Sequence, residues 1–377
     1  MLRQRTKMLR QRTMFRSFLV LALALVIAPA AAGSVRLYSG SLAVVDDPYG
    51  PPRLVDLAAG RVHALYRTGR SFSLGSGFAT PTPTRGRAVF DARGATIAGR
   101  RLSLLPLRSI PVRFRSDGAM LAGTLFVPPG GARRAAVAYV TGSGPTTREY
   151  LPELQALLLH HGVAVLAYDK RGIGASGGSY PGESPTEITI DQLARDAAAG
   201  ARFLAGRAEV DPARIGLAGH SQAGWIMPLA AKREPGIRFL VVFSGSAVTA
   251  DENDLYQTLA GEGDRPQRMT NAAIDARVEG AHLGGVDPAP WIAALRIPAL
   301  WLYGALDHIV PPRLSSKRLA ALAAEPGRDF TVWTFPRANH ALVETKTGLT
   351  SEMLRSDRYA RGMFPRVGAW LRAHGLT

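Results

Sequence analysis

Residues 214–224, read R-I-G-L-A-G-H-S-Q-A-G, constrain the fold of this chain more than any other stretch. An apolar run that stops at a small residue and turns through Ser221 predicts a strand, a strained turn and the start of a helix. Small residues flank the serine for a physical reason. Strand and helix approach too closely at Gly219 and Ala223 for larger side chains, and the turn holds Ser221 in a sparsely populated backbone region at the top of a sheet. Such a serine is a poor nucleophile unless a base takes its proton, so the stretch is either half of a catalytic pair or an ordinary Gly-Ser helix start.

The rest of the chain supplies the sheet that this turn requires. From Ala135 onward, short continuous apolar runs at 135–140, 163–168, 214–218, 237–243, 297–302 and 330–335 alternate with helical patterns at 149–161, 186–205, 312–324 and 357–374. That alternation implies right-handed crossovers and an α/β architecture, a mostly parallel sheet with helices on both faces. Just ahead, residues 110–116 and 119–127 alternate in polarity on either side of Asp117-Gly118, a dipeptide suited to the positive backbone angles of a tight hairpin. Residues 34–108 are rich in Gly, Pro and Arg, with short alternating pieces at 61–66 and 88–90, and read as a small β-rich N-terminal domain without evident chemistry. Residues 109–377 form the main domain. Within it, 245–296 is too long and polar for a simple connection and reads as a cap or lid.

The first 33 residues are set aside as a signal peptide. Six bases precede the apolar run 18–28, which is short for a membrane span, and Pro29-Ala30-Ala31-Ala32-Gly33 supplies the small residues of a cleavage site near Ala32. The repeat of M-L-R-Q-R-T at Met1 and Met8 leaves the start at Met1, Met8 or Met14. The expectation is therefore an exported protein, periplasmic or extracellular, with no stable membrane span after cleavage. Of the net charge of +17, six bases belong to this segment; residues 34–134 carry fifteen bases against five acids, and the remainder is close to neutral. A basic stretch attracts phosphates. No nucleic-acid reader motif accompanies it, so it reads as a solvated basic face rather than a nucleic-acid site. The chain contains no cysteine, which excludes disulfides and a lipid-bearing cysteine after the signal.

Gly172-Ile173-Gly174-Ala175-Ser176-Gly177 matches a dinucleotide fingerprint, but that motif must open a helix, and Gly178, Pro181, Gly182 and Pro185 follow. The base for Ser221 must come from elsewhere. His160 and His161 sit at a helix end, His282 lies in the cap, His63 and His374 lie outside the sheet, and His220 points away from its neighbouring serine. His340 follows the last strand, where a loop at the strand's carboxyl end reaches Ser221. Imidazole needs a third group to hold its tautomer and stabilise its charged form. Asp307, just past the strand 297–302, suits that role, while Asp169, beside Lys170 and Arg171, reads as a loop ion pair that shapes the Gly-rich turn.

The order Ser221, Asp307, His340 is that of the α/β-hydrolases, and across about 110–377 the chain resembles that superfamily. Thr141-Gly142-Ser143-Gly144-Pro145 is similar to its oxyanion loop, and 169–176, D-K-R-G-I-G-A-S, to its D-x-R-G-x-G-x-S loop. The nearest resemblance is to secreted bacterial esterases and the serine-aminopeptidase-like branch; Ala223 in place of Gly and Thr141 in place of His depart from the common pattern. The expected chemistry has Ser221 attacking a carbonyl, His340 carrying the proton and Asp307 orienting it, with the N–H groups of Gln222 and Ser143 as oxyanion donors. No cofactor or metal is called for. The expected partner is a small-molecule ester, with an amide or peptide as the alternative substrate and a non-catalytic envelope-binding protein as the alternative class; the oligomeric state is left open.

Overall fold

A computed structural model describes residues 35–48, 50–79 and 82–377. The expected signal segment and its cleavage position lie outside the described residues. Two eight-stranded sheets organise the rest. The first, β1 (Val35–Tyr38) through β8 (Arg100–Ser103), is an antiparallel meander in sequence order. Its last strand curls back on the first, Tyr38 bridging Leu104 and the Ser39 N–H donating to the Ser103 carbonyl at 2.9 Å, which makes a near-barrel. This is the expected β-rich N-terminal domain, although its strands run well beyond 61–66 and 88–90: β4 spans Arg61–Thr68 and β6 spans Pro83–Asp91.

The second sheet has the order β16-β15-β14-β13-β11-β12-β10-β9. It opens with the hairpin β9 (Arg108–Ser116) and β10 (Ala119–Val127), turned by Asp117 at φ 43° and Gly118 at φ 77°, as the dipeptide predicts. β11 (Arg134–Val140), β12 (Ala164–Tyr168), β13 (Val210–His220), β14 (Phe239–Phe243), β15 (Ala299–Gly304) and β16 (Phe330–Phe335) pair parallel with one another, while β12 also pairs antiparallel with β10. The central ones are largely apolar because both faces are covered, and the edge strand β16 is only part-buried. Alternate residues enter different cores. Val137 and Tyr139, Val241 and Phe243, and Leu300 and Leu302 face the helices α1 (Pro152–His160) and α8 (Met363–Ala373). Ala136 and Ala138, Leu240 and Val242, and Trp301 and Tyr303 face α2 (Glu187–Ala205), α3 (Ala223–Arg233) and α7 (Pro312–Ala323).

The connection from β14 to β15 carries α4 (Ala250–Ala260), α5 (Asn271–Gly280) and α6 (Ala289–Ala294). Thr249 starts α4 with a reciprocal capping box to Glu252. Tyr256, Ile274 and Val278 of this segment pack with Leu314 of α7 in a small cluster of their own, so the stretch expected as a cap is built of short helices seated on the α/β body.

The two sheets share a core. One face of the first four strands, including Val35, Leu37, Val45, Val55 and Val62, belongs to the same apolar cluster as Leu154, Leu157 and Phe364. Backbone pairing crosses as well: Val62 N–H donates to the Asp357 carbonyl at 2.7 Å and Tyr359 N–H to the Gly60 carbonyl at 2.9 Å. That pairing explains why the last helix starts at Met363 rather than at residue 357, since the residues before it serve as an extended edge for the N-terminal sheet and Gly362, φ 80°, then turns the chain.

Candidate active site

Ser221 lies between the end of β13 and the start of α3, at φ 60°, in the left-handed region that costs a non-glycine residue on the order of 1–3 kcal/mol. The surroundings hold it there: its N–H donates to the Phe243 carbonyl and its carbonyl accepts from Gly224 N–H, both at 2.9 Å. A Cβ added at Gly219 would stand 2.5 Å from the Val140 carbonyl oxygen and 2.6 Å from the Ala223 Cβ, and one at Gly224 would collide with the Ser246 backbone. The small residues around the serine are thus demanded by close approach on three sides.

Asp307 and His340 meet on the two loops that leave β15 and β16. Gly304 permits the approach, since a Cβ there would strike the carbonyl oxygens of Ala338 and Asn339. Leu306 N–H donates to the Ala338 carbonyl at 2.9 Å. Asn339, buried, ties the second loop by accepting at Oδ1 from Ala341 and Val343 N–H, each at 3.2 Å. The Asp307 carboxylate is completely buried; Oδ1 accepts from Ile309 N–H at 2.7 Å and Val310 N–H at 2.9 Å, and Oδ2 lies 2.8 Å from His340 Nδ1. A carboxylate acceptor at Nδ1 leaves Nε2 as the unprotonated nitrogen of the neutral ring. Among the described residues Ser221 Oγ makes no hydrogen bond, and serine–imidazole contacts in empty sites are commonly long.

His220 turns to the His340 loop rather than to the neighbouring serine. Its Nε2–H donates to the His340 carbonyl at 2.9 Å, its Nδ1 accepts from the Tyr150 hydroxyl at 3.0 Å, and its ring centroid is 4.6 Å from that of His340. Burial, with the neighbouring His340 ring second, pushes its pKa down to about 3. Between about pH 6.5 and 3 the unfolded chain therefore binds a proton at this position that the folded chain does not. Stability must fall as the pH drops through that window. His220→Gln should flatten the stability profile between pH 6.5 and 4 by up to about 1.4 kcal/mol per pH unit, read by urea unfolding. An unchanged slope would show that His220 is not held neutral.

Asp169 shapes the Gly-rich turn as expected, but its ion-pair partner is Arg148 rather than a neighbour. Arg148 Nε and Nη2 reach its two oxygens at 2.9 and 2.6 Å, and the Ala175 N–H donates to Oδ2 at 2.9 Å. Arg171 pairs with buried Asp196 instead. The chain stays irregular until α2 begins at Glu187, well past the glycine motif.

On the other side of Ser221 lies the loop after β11. Gly142 is so close that an added Cβ would stand 3.3 Å from Ser221 Cβ and 2.6 Å from the Tyr150 hydroxyl. Ser143 is exposed, and among the described residues neither its N–H nor that of Gln222 is used by another protein group. Several contributors were invisible in the sequence. Lys170 Nζ donates to the carbonyls of Gly142 at 2.6 Å and Gly144 at 3.0 Å and faces Gln222 Oε1 at 3.4 Å. Tyr256 of α4 donates its hydroxyl to the Asp307 carbonyl at 2.7 Å, and Asn253 Nδ2 donates to the Ile309 carbonyl at 3.1 Å. A tyrosine and an asparagine three apart on a helix carry no motif that would single them out.

The fold and this arrangement define a serine hydrolase of the α/β-hydrolase class. Residues 153–364 match the model of the prolyl oligopeptidase family. The chain belongs to that family. It is also 32% identical over 227 residues to an uncharacterized protein of Mycobacterium tuberculosis, covering 60% of this chain and 71% of that one. Among solved structures it is similar in fold to the Pyrococcus furiosus esterase Pf2001, with a TM-score of 0.51 and 17% identity over 71% of this chain and 93% of that one. The Pyrococcus horikoshii acylaminoacyl peptidase gives a TM-score of 0.51 and 15% identity, over 88% of this chain and 54% of that one.

Proposed function

We propose that this serine hydrolase is an exported carboxylic ester hydrolase in which Ser221, His340 and Asp307 form a catalytic triad. The observation that carries the reading is the 2.8 Å contact between His340 Nδ1 and the fully buried Asp307, on loops beside the strained Ser221 turn. Ser221 Oγ attacks the ester carbonyl while His340 Nε2 takes its proton; the same nitrogen returns the proton to the leaving alkoxide, and water then hydrolyses the acyl-enzyme by the reverse roles. Asp307 keeps Nδ1 protonated and stabilises the imidazolium. The N–H groups of Gln222 and Ser143 receive the oxyanion.

Two hydrolase substrates compete, because the family match favours a peptide and the site must then accept an amine or amide. An aminopeptidase needs a carboxylate free to meet a desolvated ammonium group. Glu252, the buried acid of the cap, is engaged by Arg318 at 2.7 and 2.8 Å and by the Thr249 cap; half-buried Glu262 pairs with Arg265 at 3.0 Å, and Asp251, Asp254 and Asp264 are exposed. That engagement supports an uncharged ester. The specificity constant for a nitrophenyl butyrate should exceed that for matched aminoacyl anilides by roughly 10²-fold or more, about 3 kcal/mol of differential transition-state binding and leaving-group reactivity. An anilide turned over as well as the ester, with the preference lost in Glu252→Gln, would make the protein a peptidase. Export rests on the ordered basic, apolar and small-residue stretches of the first 33 residues. Recovery from the periplasm of a chain starting near Gly33 checks it, and an uncleaved cytosolic chain would contradict it.

A further inference from the structure

Among the described residues, Lys170 is the charged group turned toward both halves of the expected oxyanion hole. Its side chain is buried, 4% exposed, and carries no carboxylate partner: Asp169 is taken by Arg148, Arg171 by Asp196, and Glu183 acts on it only through space. The ring of Tyr180 lies 6.0 Å from Nζ. What surrounds the nitrogen is oxygen: the Gly142 and Gly144 carbonyls from the loop after β11, and the Gln222 side-chain carbonyl from the serine turn. Three acceptors match the three protons of an ammonium group and leave one unmatched if the amine is neutral.

We propose that Lys170, as an ammonium, is a positioning residue that sets both oxyanion donors. A trans peptide places its C=O and N–H on opposite sides. Drawing the Gly142 carbonyl to Nζ therefore turns the Ser143 N–H of the same peptide away from the lysine, next to a glycine whose added Cβ would stand 3.3 Å from Ser221 Cβ. The Gly144 carbonyl, drawn to the same nitrogen, closes the loop so that this peptide cannot rotate. At the serine turn, Gln222 Oε1 leans to Nζ while its Nε2 donates to the Glu183 carbonyl at 3.3 Å, which holds the side chain aside and leaves its backbone N–H unobstructed. Burial pulls the ammonium down to about 7, with Glu183 pulling the other way, so the clamp weakens as the pH rises through that value.

The inference rests on the reading of Ser143 and Gln222 as oxyanion donors, and its test separates the two. Lys170→Met keeps the length and removes every donor. Normalised to the fraction of chains labelled by a fluorophosphonate serine probe, its kcat for nitrophenyl butyrate should fall by roughly 10²-fold with KM within about threefold, because an oxyanion contact is made only in the transition state. A packing defect would instead lower the fraction labelled when the reaction is run to completion, whereas loss of oxyanion contacts only slows the approach to full labelling. A normalised kcat within about threefold of the wild type would overturn the role of Lys170, while activity surviving in Ser221→Ala would overturn the underlying reading. Should Lys170→Met fail to fold, the wild-type protein decides: kcat should decline above about pH 7 with loss of one proton, and a level kcat from pH 7 to 9 would remove the clamp.

Discussion

Ser221→Ala should lower hydrolysis of a short-chain nitrophenyl ester by roughly 10⁴-fold or more, and His340→Ala by a similar factor, with little change in melting temperature. The two losses should not add, because the nucleophile and base act as one unit and the double variant has nothing further to lose. Asp307→Asn should fall by roughly 10⁴-fold as well, since an amide donating at the position of Oδ2 favours the wrong tautomer of His340. It should also unfold more easily than the other two. Oδ1 of Asp307 holds the N–H groups of Ile309 and Val310, and an Asn side chain can preserve those bonds only by turning its NH₂ group to His340. Stopped assays with melting curves on the same preparations check all three; ester turnover near the wild-type rate in His340→Ala would remove that residue from the mechanism.

The second large effect concerns the N-terminal sheet. A chain beginning at Leu105 should be insoluble or unfolded rather than a smaller active enzyme. Removing β1–β8 strips Val35, Leu37, Val45, Val55, Leu57, Val62 and Phe78 from a core they share with Leu154, Leu157 and Tyr359. At about 1.5–3 kcal/mol per side chain, that loss is on the order of 10 kcal/mol and equals the whole stability of an ordinary domain. Electrostatics adds to it. Arg53 of the first sheet lies 2.5 Å from Glu153, which is fully buried at the start of α1, and deleting the arginine leaves a buried carboxylate unpaired. Circular dichroism and light scattering on the shortened chain test this. A soluble, cooperative and active product would show that the shared core is dispensable.

The parts of this fold that were legible in the sequence are those decided by local chemistry. Asp117-Gly118 forms its hairpin because its two residues accept positive φ, and the central strands of the second sheet are recognisable because burial on both faces makes them largely apolar. The serine turn was legible because close approach leaves a mark in the sequence: Gly219 stands against the Val140 carbonyl and Gly224 against the Ser246 backbone, and neither admits a side chain. A local signal moved one boundary: helix α1 begins at Pro152 instead of residue 149 because Leu151 sits at φ 47° and the proline suits the first helical turn. Where distant segments decide, the reading shifts further. The last helix starts six residues later than expected because residues 357–359 pair with the N-terminal sheet, a contact that no local pattern encodes.

The site divides in the same way. Ser221, Asp307 and His340 follow strand ends and can be singled out as candidates by that placement, whereas the groups packed against them reach across the fold. His220 reaches the His340 carbonyl over 120 residues of sequence, and Tyr256 reaches the Asp307 loop from a cap helix. Lys170 looked like a loop ion pair because an acid precedes it. Only the structure shows that Arg148 has taken that acid and that the lysine turns inward to carbonyl oxygens. Charge partners on loops are set by packing, and sequence adjacency is a poor guide to them.

The most direct test of the central claim is stoichiometric labelling with a fluorophosphonate probe, located by mass spectrometry of the digested protein. The account predicts one label per chain, on Ser221, with labelling abolished in Ser221→Ala and slowed by orders of magnitude in His340→Ala at unchanged melting temperature. A folded wild-type chain that takes no label, or one labelled with undiminished rate in His340→Ala, would contradict it.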